Sequence, residues 1–177
     1  MTNDAKTTDC GGSLVASDCW GACTVRFVPA ISALLLCVVV GITDGDTLTA
    51  RCDSAADVAA QTIKVRLAEV DAPEHHQPFG TRSREHLASL CFEKSAEVRP
   101  IAAGGGLDRY GRTVAHVSCN GVDANTEQVR AGMAWVFDRY VIDRRLYRLQ
   151  DEARAGQRGL WADAEPVAPW EWRRATR

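Results

Sequence analysis

Apolar and cationic side chains alternate through Ile63-Lys64-Val65-Arg66-Leu67, and the stretch 62–70 is predicted as one half-buried strand. Arg66 then points away from the apolar layer. Asp71 follows five residues later, so an unbroken strand sends its carboxylate to the opposite face. The two side chains meet only if the chain bends. Pro73 supplies a reason for a bend, because it has no ladder N–H and biases Ala72 toward extended backbone. The stretch is therefore expected to bring Arg66 from a strand, and Asp71 and Glu74 from a loop, to one cleft.

The remaining pattern places other elements around this stretch. β-branched Val38, Val39, Val40 and Ile42 predict a first strand, and Asp44-Gly45-Asp46-Thr47 a tight turn into a second over 48–52. In that turn Asp44 and Asp46 can share a side, and Gly45 permits close approach of backbone or ligand. Leu87, Leu90 and Cys91 recur at helical spacing within 83–92. Strands are predicted over 96–101 and 113–119, the second followed by the turn pair Asn120-Gly121, and helices over 125–137 and 143–158, the latter stopped by Gly159. Three strands, a helix, two strands and two helices make an α+β chain. The expected fold is a five-stranded OB-type Greek-key barrel with three α-helices, spanning 38–163. Residues 164–177 form a Trp- and Arg-rich tail, expected to pack on the domain as an extension.

The leader changes the picture at the N-terminus. Residues 1–24 are polar and aperiodic, and an apolar run over 25–42 is interrupted only by Arg26 and Ser32. A secretory signal or anchor competes with a lipoprotein signal ending at Cys37. Asp4 and Asp18 and the lack of a small-x-small site weaken the first, and the bulk of Leu36 weakens the second. A third reading is favoured, in which 27–36 is a targeting segment able to anchor the chain to a membrane and 37–42 is the first strand. Residues 1–37 then form the leader, and the protein is expected to be secreted, periplasmic or membrane-anchored.

Composition adds little beyond this. A net charge of −2 excludes a globally basic nucleic-acid coat, although residues 128–177 carry ten arginines against seven acids, which favours a local anion site. Seven cysteines leave at least one unpaired, and Cys19 and Cys23 have no second ligand pair for zinc. A disulfide between two of Cys52, Cys91 and Cys119 fits an oxidising compartment, whereas three buried thiols are the alternative; spacing does not choose. Adjacent His75 and His76, whose side chains are expected to diverge, are read as loop residues. The run 102–106 is too unpatterned for a phosphate-cradling loop and reads as a linker.

Three separated blocks carry the candidate chemistry: Asp44-Gly45-Asp46-Thr47, Arg66 through Asp71-Ala72-Pro73-Glu74, and Asp108-Arg109-Tyr110-Gly111-Arg112. With Arg130-Ala131-Gly132 and Gly159-Leu160-Trp161 they resemble the thermonuclease, or staphylococcal-nuclease-like, family over about 38–161. The resemblance implies that Asp46, Asp71 and the Ala72 carbonyl hold one Ca²⁺ ion, with Asp44 steadying the metal site from behind. It also implies that Glu74 acts as general base or orders water, and that Arg66 and Arg112 grip the phosphate. Arg109, Tyr110 and Tyr140 match positions near the bound nucleotide. The implied activity is Ca²⁺-dependent hydrolysis of DNA and RNA, single-stranded or frayed, toward 3′-phosphorylated products, by a monomer with no stable protein partner. Ala72 stands where the family often has threonine, and Asp138 where a tyrosine is expected. The alternative is a non-catalytic OB-type module that binds nucleic acid or protein. Retention of Asp46, Arg66, Asp71, Glu74 and Arg112 argues against it.

Overall fold

Alternating burial closes the strands into a barrel. The computed structural model describes residues 34–53, 60–101 and 106–176, so most of the leader, the Cys19 and Cys23 pair and most of the linker lie outside the described residues. Strands β1 (Leu35–Ile42), β2 (Thr47–Cys52) and β3 (Gln61–Leu67) form an antiparallel meander. A two-residue strand β4 (Val70–Asp71) and helix α1 (Gly80–Cys91) follow. Then β5 (Ser95–Pro100) pairs with β1, and β6 (Thr113–Cys119) pairs antiparallel with β5 and parallel with β3. That last pairing closes the five-stranded mixed barrel. Val39, Leu48, Ala50, Val65, Val98 and Val117 fill it, all essentially inaccessible to solvent.

The chain continues through β7 (Val122–Asp123), α2 (Ala124–Arg130), β8 (Trp135–Val136), α3 (Arg145–Ala155), a 3₁₀ turn at Gly159–Ala162 and α4 (Pro169–Ala175). Helical side chains Leu87, Val129 and Leu146 join the barrel core. The OB-type α+β expectation holds, with four α-helices rather than three.

Several boundaries differ for physical reasons. β1 begins at Leu35, inside the stretch assigned to targeting, with Leu35 opposite Val98 and Leu36 opposite Glu97. Cys37 and Val39 face inward while Leu36, Val38 and Val40 are exposed, so the apolar run hid a strand's alternation. The helix predicted over 125–137 stops at Arg130. Gly132, at φ 66°, and Gly159, at φ 56°, lie backbone to backbone, with Leu160 N–H donating to Gly132 O at 2.8 Å. A Cβ on either glycine would overlap the opposing main chain, and this crossing ends the helix. The freed segment becomes β8, which pairs with β4. α3 ends at Ala155, and Gly159 opens the 3₁₀ turn rather than stopping α3.

Two disulfides tie the barrel. Cys37–Cys52 links facing residues of β1 and β2, and Cys91–Cys119 links α1 to β6. Among the described residues no helix is long and apolar enough to cross a membrane.

Candidate active site

The bend comes earlier than Pro73. β3 ends at Leu67, and Glu69 takes the left-handed conformation, φ 65°. That strained position is pinned: Glu69 O accepts from Phe137 N–H at 2.8 Å, and its buried carboxylate accepts from Ile142 N–H at 2.9 Å. The turn reverses the face on which the following residues lie, so Asp71 in β4 swings back beneath Arg66. The Arg66 Nη2 donates to Asp71 Oδ1 at 2.8 Å, while Nη1 meets Asp46 Oδ2 at 2.9 Å and donates to Val70 O at 2.8 Å. One planar guanidinium thus gathers two carboxylates from different elements.

Asp46 arrives from the turn between β1 and β2. Thr47 is the cross-strand partner of Arg66, which sets the approach. Asp46 Oδ2 accepts from Ala72 N–H at 2.8 Å, and Oδ1 accepts from the Thr47 hydroxyl at 2.9 Å. A Cβ on Gly45 would overlap Ser83 Oγ and Ala72 Cβ, so this glycine serves close packing of the turn on α1 and the Asp71 loop. Gln128 of α2 locks the same turn by donating to Gly45 O.

Arg112 reaches the site because β6 lies parallel to β3 with Thr113 opposite Val65. Its Nη1 donates to Thr47 Oγ1 at 3.1 Å, and its Nε to Asp108 Oδ2 at 2.8 Å. Asp108 is held below the usual carboxylate range: modest burial works against this, but hydrogen bonds from Arg112 and the Tyr110 N–H outweigh it. Arg112 is therefore joined to Asp46 through Thr47. Arg109 and Tyr110 sit on the rim, with Tyr110 exposed and its hydroxyl bonded to Arg109 Nη2 at 2.6 Å. Tyr140 is also exposed and packs edge-on against Phe137, 5.3 Å between centroids.

Glu74 does not touch Arg66. Its carboxylate is half-exposed and bound by Arg173 of α4, whose Nη1 lies 2.6 Å from Glu74 Oε1 and whose Nη2 lies 2.6 Å from Asp71 Oδ2. Sequence reasoning missed Arg173. The signal was present: Pro169 at a helix start puts Trp170 and Arg173 three residues apart on one face. Trp170 stacks on Phe137 at 5.6 Å and meets Trp135 edge-on at 5.8 Å, which docks the helix beside the cleft.

The centre holds four carboxyl groups, those of Asp44, Asp46, Asp71 and Glu74, and Asp44 has no guanidinium partner among the described residues. Burial first, and the neighbouring Asp46 second, push the Asp44 carboxyl up to about 7. Burial also raises Asp71, against the opposing pull of Arg173 and Arg66. Between the ordinary value of 3.8 and about 7, folded Asp44 binds a proton that the unfolded chain has lost, so stability falls as pH rises through that window and levels off above it. In EGTA the unfolding free energy is expected to fall by on the order of 2–4 kcal/mol more between pH 4 and 7.5 in wild type than in Asp44→Asn. Urea titrations across that range measure the difference, and equal slopes in the two proteins would remove the buried-acid account.

Among the described residues no three His, Cys, Asp or Glu side chains converge on one metal position. The donors at hand are two buried carboxylates, of Asp46 and Asp71, with the Ala72 main chain beside them. An all-oxygen set carrying excess acid fits a hard divalent cation and suits zinc or copper poorly.

The family described as "Staphylococcal nuclease homologue" matches residues 64–163, a region that contains Arg66, Asp71, Glu74 and Arg112 but neither Asp46 nor Arg173. A Haemophilus influenzae protein described as an uncharacterized endonuclease is 44% identical over 138 residues, covering 78% of this chain and 72% of the relative. A micrococcal nuclease of Shigella flexneri is 39% identical over 150 residues, covering 78% of this chain and 80% of its own. A probable staphylococcal-like nuclease of Oryza sativa subsp. japonica is 36% identical over 121 residues, 68% of this chain and 35% of the plant protein. A barrel that gathers arginines and acids from its strands and turns into one cleft, matched over most of its length by nucleases, belongs to the staphylococcal nuclease family and is a phosphodiester-hydrolysing enzyme.

Proposed function

We propose that this nuclease hydrolyses DNA and RNA in a Ca²⁺-dependent reaction, preferring single-stranded or frayed substrate and leaving 3′-phosphorylated products. The observation that carries the reading is the convergence of Asp46 and Asp71 on Arg66, 2.9 and 2.8 Å away, with Glu74 on the loop just beyond. Asp46, Asp71 and the Ala72 carbonyl would hold the cation, which when bound neutralises charge on the scissile phosphate and polarises it. Glu74, half in solvent, takes a proton from the attacking water, or orders that water, as a P–O bond forms in line with the departing 5′ oxygen. Arg66 and Arg112 aim guanidinium N–H groups at the non-bridging oxygens, where charge grows in the transition state. Arg109, Tyr110 and Tyr140 offer exposed cationic and aromatic surface to the flanking nucleotides, which suits backbone contact and stacking with little sequence preference.

Two disulfides support an oxidising destination, secreted or periplasmic, whether or not the segment 27–36 also anchors the chain. The reading is tested by digesting end-labelled single-stranded DNA and RNA with Ca²⁺, with Mg²⁺ and in EGTA, followed by end-group analysis. Cleavage in Ca²⁺ that leaves 3′-phosphates, and falls at least about a hundredfold in EGTA, is the expected result. Undiminished cleavage in EGTA would remove the cation from the mechanism, and 5′-phosphate ends would overturn the assignment of the bond broken.

A further inference from the structure

Asp71, one of the two carboxylates proposed to hold Ca²⁺, already carries a cation supplied by the C-terminal helix. Arg173 spans Asp71 and the proposed base: Nη2 to Asp71 Oδ2 at 2.6 Å, Nη1 to Asp71 Oδ1 at 3.3 Å, and Nη1 to Glu74 Oε1 at 2.6 Å. With Arg66 on Asp71 Oδ1, both oxygens of this buried carboxylate carry guanidinium N–H groups. The helix that carries Arg173 is docked independently of that side chain. Trp170, on the same helical face, stacks on Phe137 and abuts Trp135. Gln77 links tail to loop, donating to Val167 O at 2.7 Å while its Oε1 accepts from Glu74 N–H at 3.1 Å. Arg173 lies outside residues 64–163, the region matched to the family.

We propose that Arg173 is a tethered competitor of the divalent cation, docked by α4 onto Asp71 and Glu74 and displaced when Ca²⁺ binds. The inference rests on the Ca²⁺ reading above. Arg66 and Arg173 already place two guanidinium groups on Asp71, so a divalent cation seated on that carboxylate would add a third positive centre at contact distance in a poorly screened site, and the more exposed Arg173 is the group that leaves. Whatever Arg173 costs Ca²⁺ in affinity, Ca²⁺ costs Arg173 in docking, because the coupling is reciprocal. The side chain is 39% exposed, so it can swing into solvent without unpacking Trp170. The same movement frees Glu74. The device keeps the metal-free enzyme closed at the base and sets a threshold of Ca²⁺ for opening it.

Calorimetric titration of full-length wild type, Arg173→Gln and Arg174→Gln with CaCl₂ tests this directly. Arg174 sits next in the helix and among the described residues bonds only Trp170 O, so its variant changes net charge equally without touching the acids. Arg173→Gln is expected to bind Ca²⁺ about tenfold tighter than wild type, and Arg174→Gln within about twofold of it. In ¹⁵N spectra of the wild type, the Arg173 side-chain signal, assigned by its loss in Arg173→Lys, should move to a solvent-exposed position on Ca²⁺ saturation. Equal affinity in all three proteins, an equal gain in Arg174→Gln, weaker binding by Arg173→Gln, or an unmoved Arg173 signal at saturation each overturns the competition while leaving Ca²⁺ binding in place. No heat of Ca²⁺ binding in any of the three would instead remove the Ca²⁺ reading and the competition with it.

Discussion

Arg66→Met is expected to abolish nuclease activity and to destabilise the metal-free protein by about 3–5 kcal/mol. The side chain is 13% exposed and closes salt bridges to Asp46 and Asp71, whose side chains are 7% and 1% exposed. Its Nη1 also satisfies the carbonyls of Leu67 and Val70, so it fastens the turn at Glu69 as well as the acids. Methionine fills the volume and, among the described residues, leaves the Asp46 carboxylate with the Ala72 N–H and the Thr47 hydroxyl, two neutral donors against a buried charge. The activity loss has a separate origin. On the proposed mechanism Arg66 neutralises charge growing on the phosphate, so its deletion removes transition-state stabilisation and should lower kcat by at least about a thousandfold. Ca²⁺ distinguishes the two effects. Saturating ion replaces positive charge between the acids, so it should recover part of the stability and little of the rate. Arg66→Lys should lie between, because an ammonium restores charge but cannot reach both acids with one planar fork. Urea unfolding with and without Ca²⁺, beside single-turnover rates on single-stranded DNA, measures both. A Met variant as stable as wild type in EGTA would show that Arg66 is not what holds the acids together.

This dual role explains what the sequence disclosed and what it hid. The alternation Ile63-Lys64-Val65-Arg66-Leu67 predicted β3 with the correct faces, because a barrel strand buries every second side chain. The need for a bend between Arg66 and Asp71 was legible from strand geometry alone. Its location was not. Glu69 adopts a left-handed conformation only because Phe137, Ile142 and Asp143 hold it, partners far away in the chain. Pro73 attracted the prediction because its constraint is local. The helix expected over 125–137 failed for a like reason: its apolar spacing is real, but the crossing of Gly132 with Gly159 is tertiary. β1 was obscured in the other direction, since apolar side chains on its outer face, Leu36, Val38 and Val40, erased the alternation that reveals a strand.

The disulfides mark the same limit. Cys52, Cys91 and Cys119 were placed inside the fold, yet Cys37, the partner of Cys52, had been left at the border of the leader. Once β1 starts at Leu35, the antiparallel register puts Cys37 opposite Cys52, and the pairing follows from topology. Arg173 was the costliest omission. A short tail with two tryptophans reads as hydrophobic packing, and although local spacing puts Trp170 and Arg173 on one face, only tertiary docking brings that arginine onto acids about a hundred residues earlier. The site blocks themselves, with Asp46, Arg66, Asp71 and Arg112, do come together through closed-barrel pairing, and Glu74 joins them through Arg173.

Glu74→Gln is the second large effect, and it should separate chemistry from cation binding. Glutamine keeps the size of the side chain and an oxygen that can accept from Arg173, but it has no negative charge and cannot take a proton from water. If Glu74 is the base, kcat should fall by about 10²–10⁴-fold while KM for single-stranded DNA changes little, the pattern expected when an interaction is lost only in the transition state. Folding should hardly respond, since the Glu74 carboxylate is 40% exposed and its ion pair with Arg173 is screened by solvent. Ca²⁺ affinity gives the sharper contrast. Asp46 and Asp71 are untouched, and Arg173 loses one of its two charged anchors, so Ca²⁺ should bind the variant at least as tightly as wild type. A protein that binds more Ca²⁺ at a given concentration and cuts far more slowly is hard to reconcile with any structural role for Glu74. The opposite pairing, weakened Ca²⁺ binding with a kcat near wild type, would make Glu74 a metal ligand and leave the proton transfer to water alone. Calorimetry and single-turnover cleavage on the same preparation decide between them, and the result also fixes what Arg173 guards: the base and the cation site together, or the cation site alone.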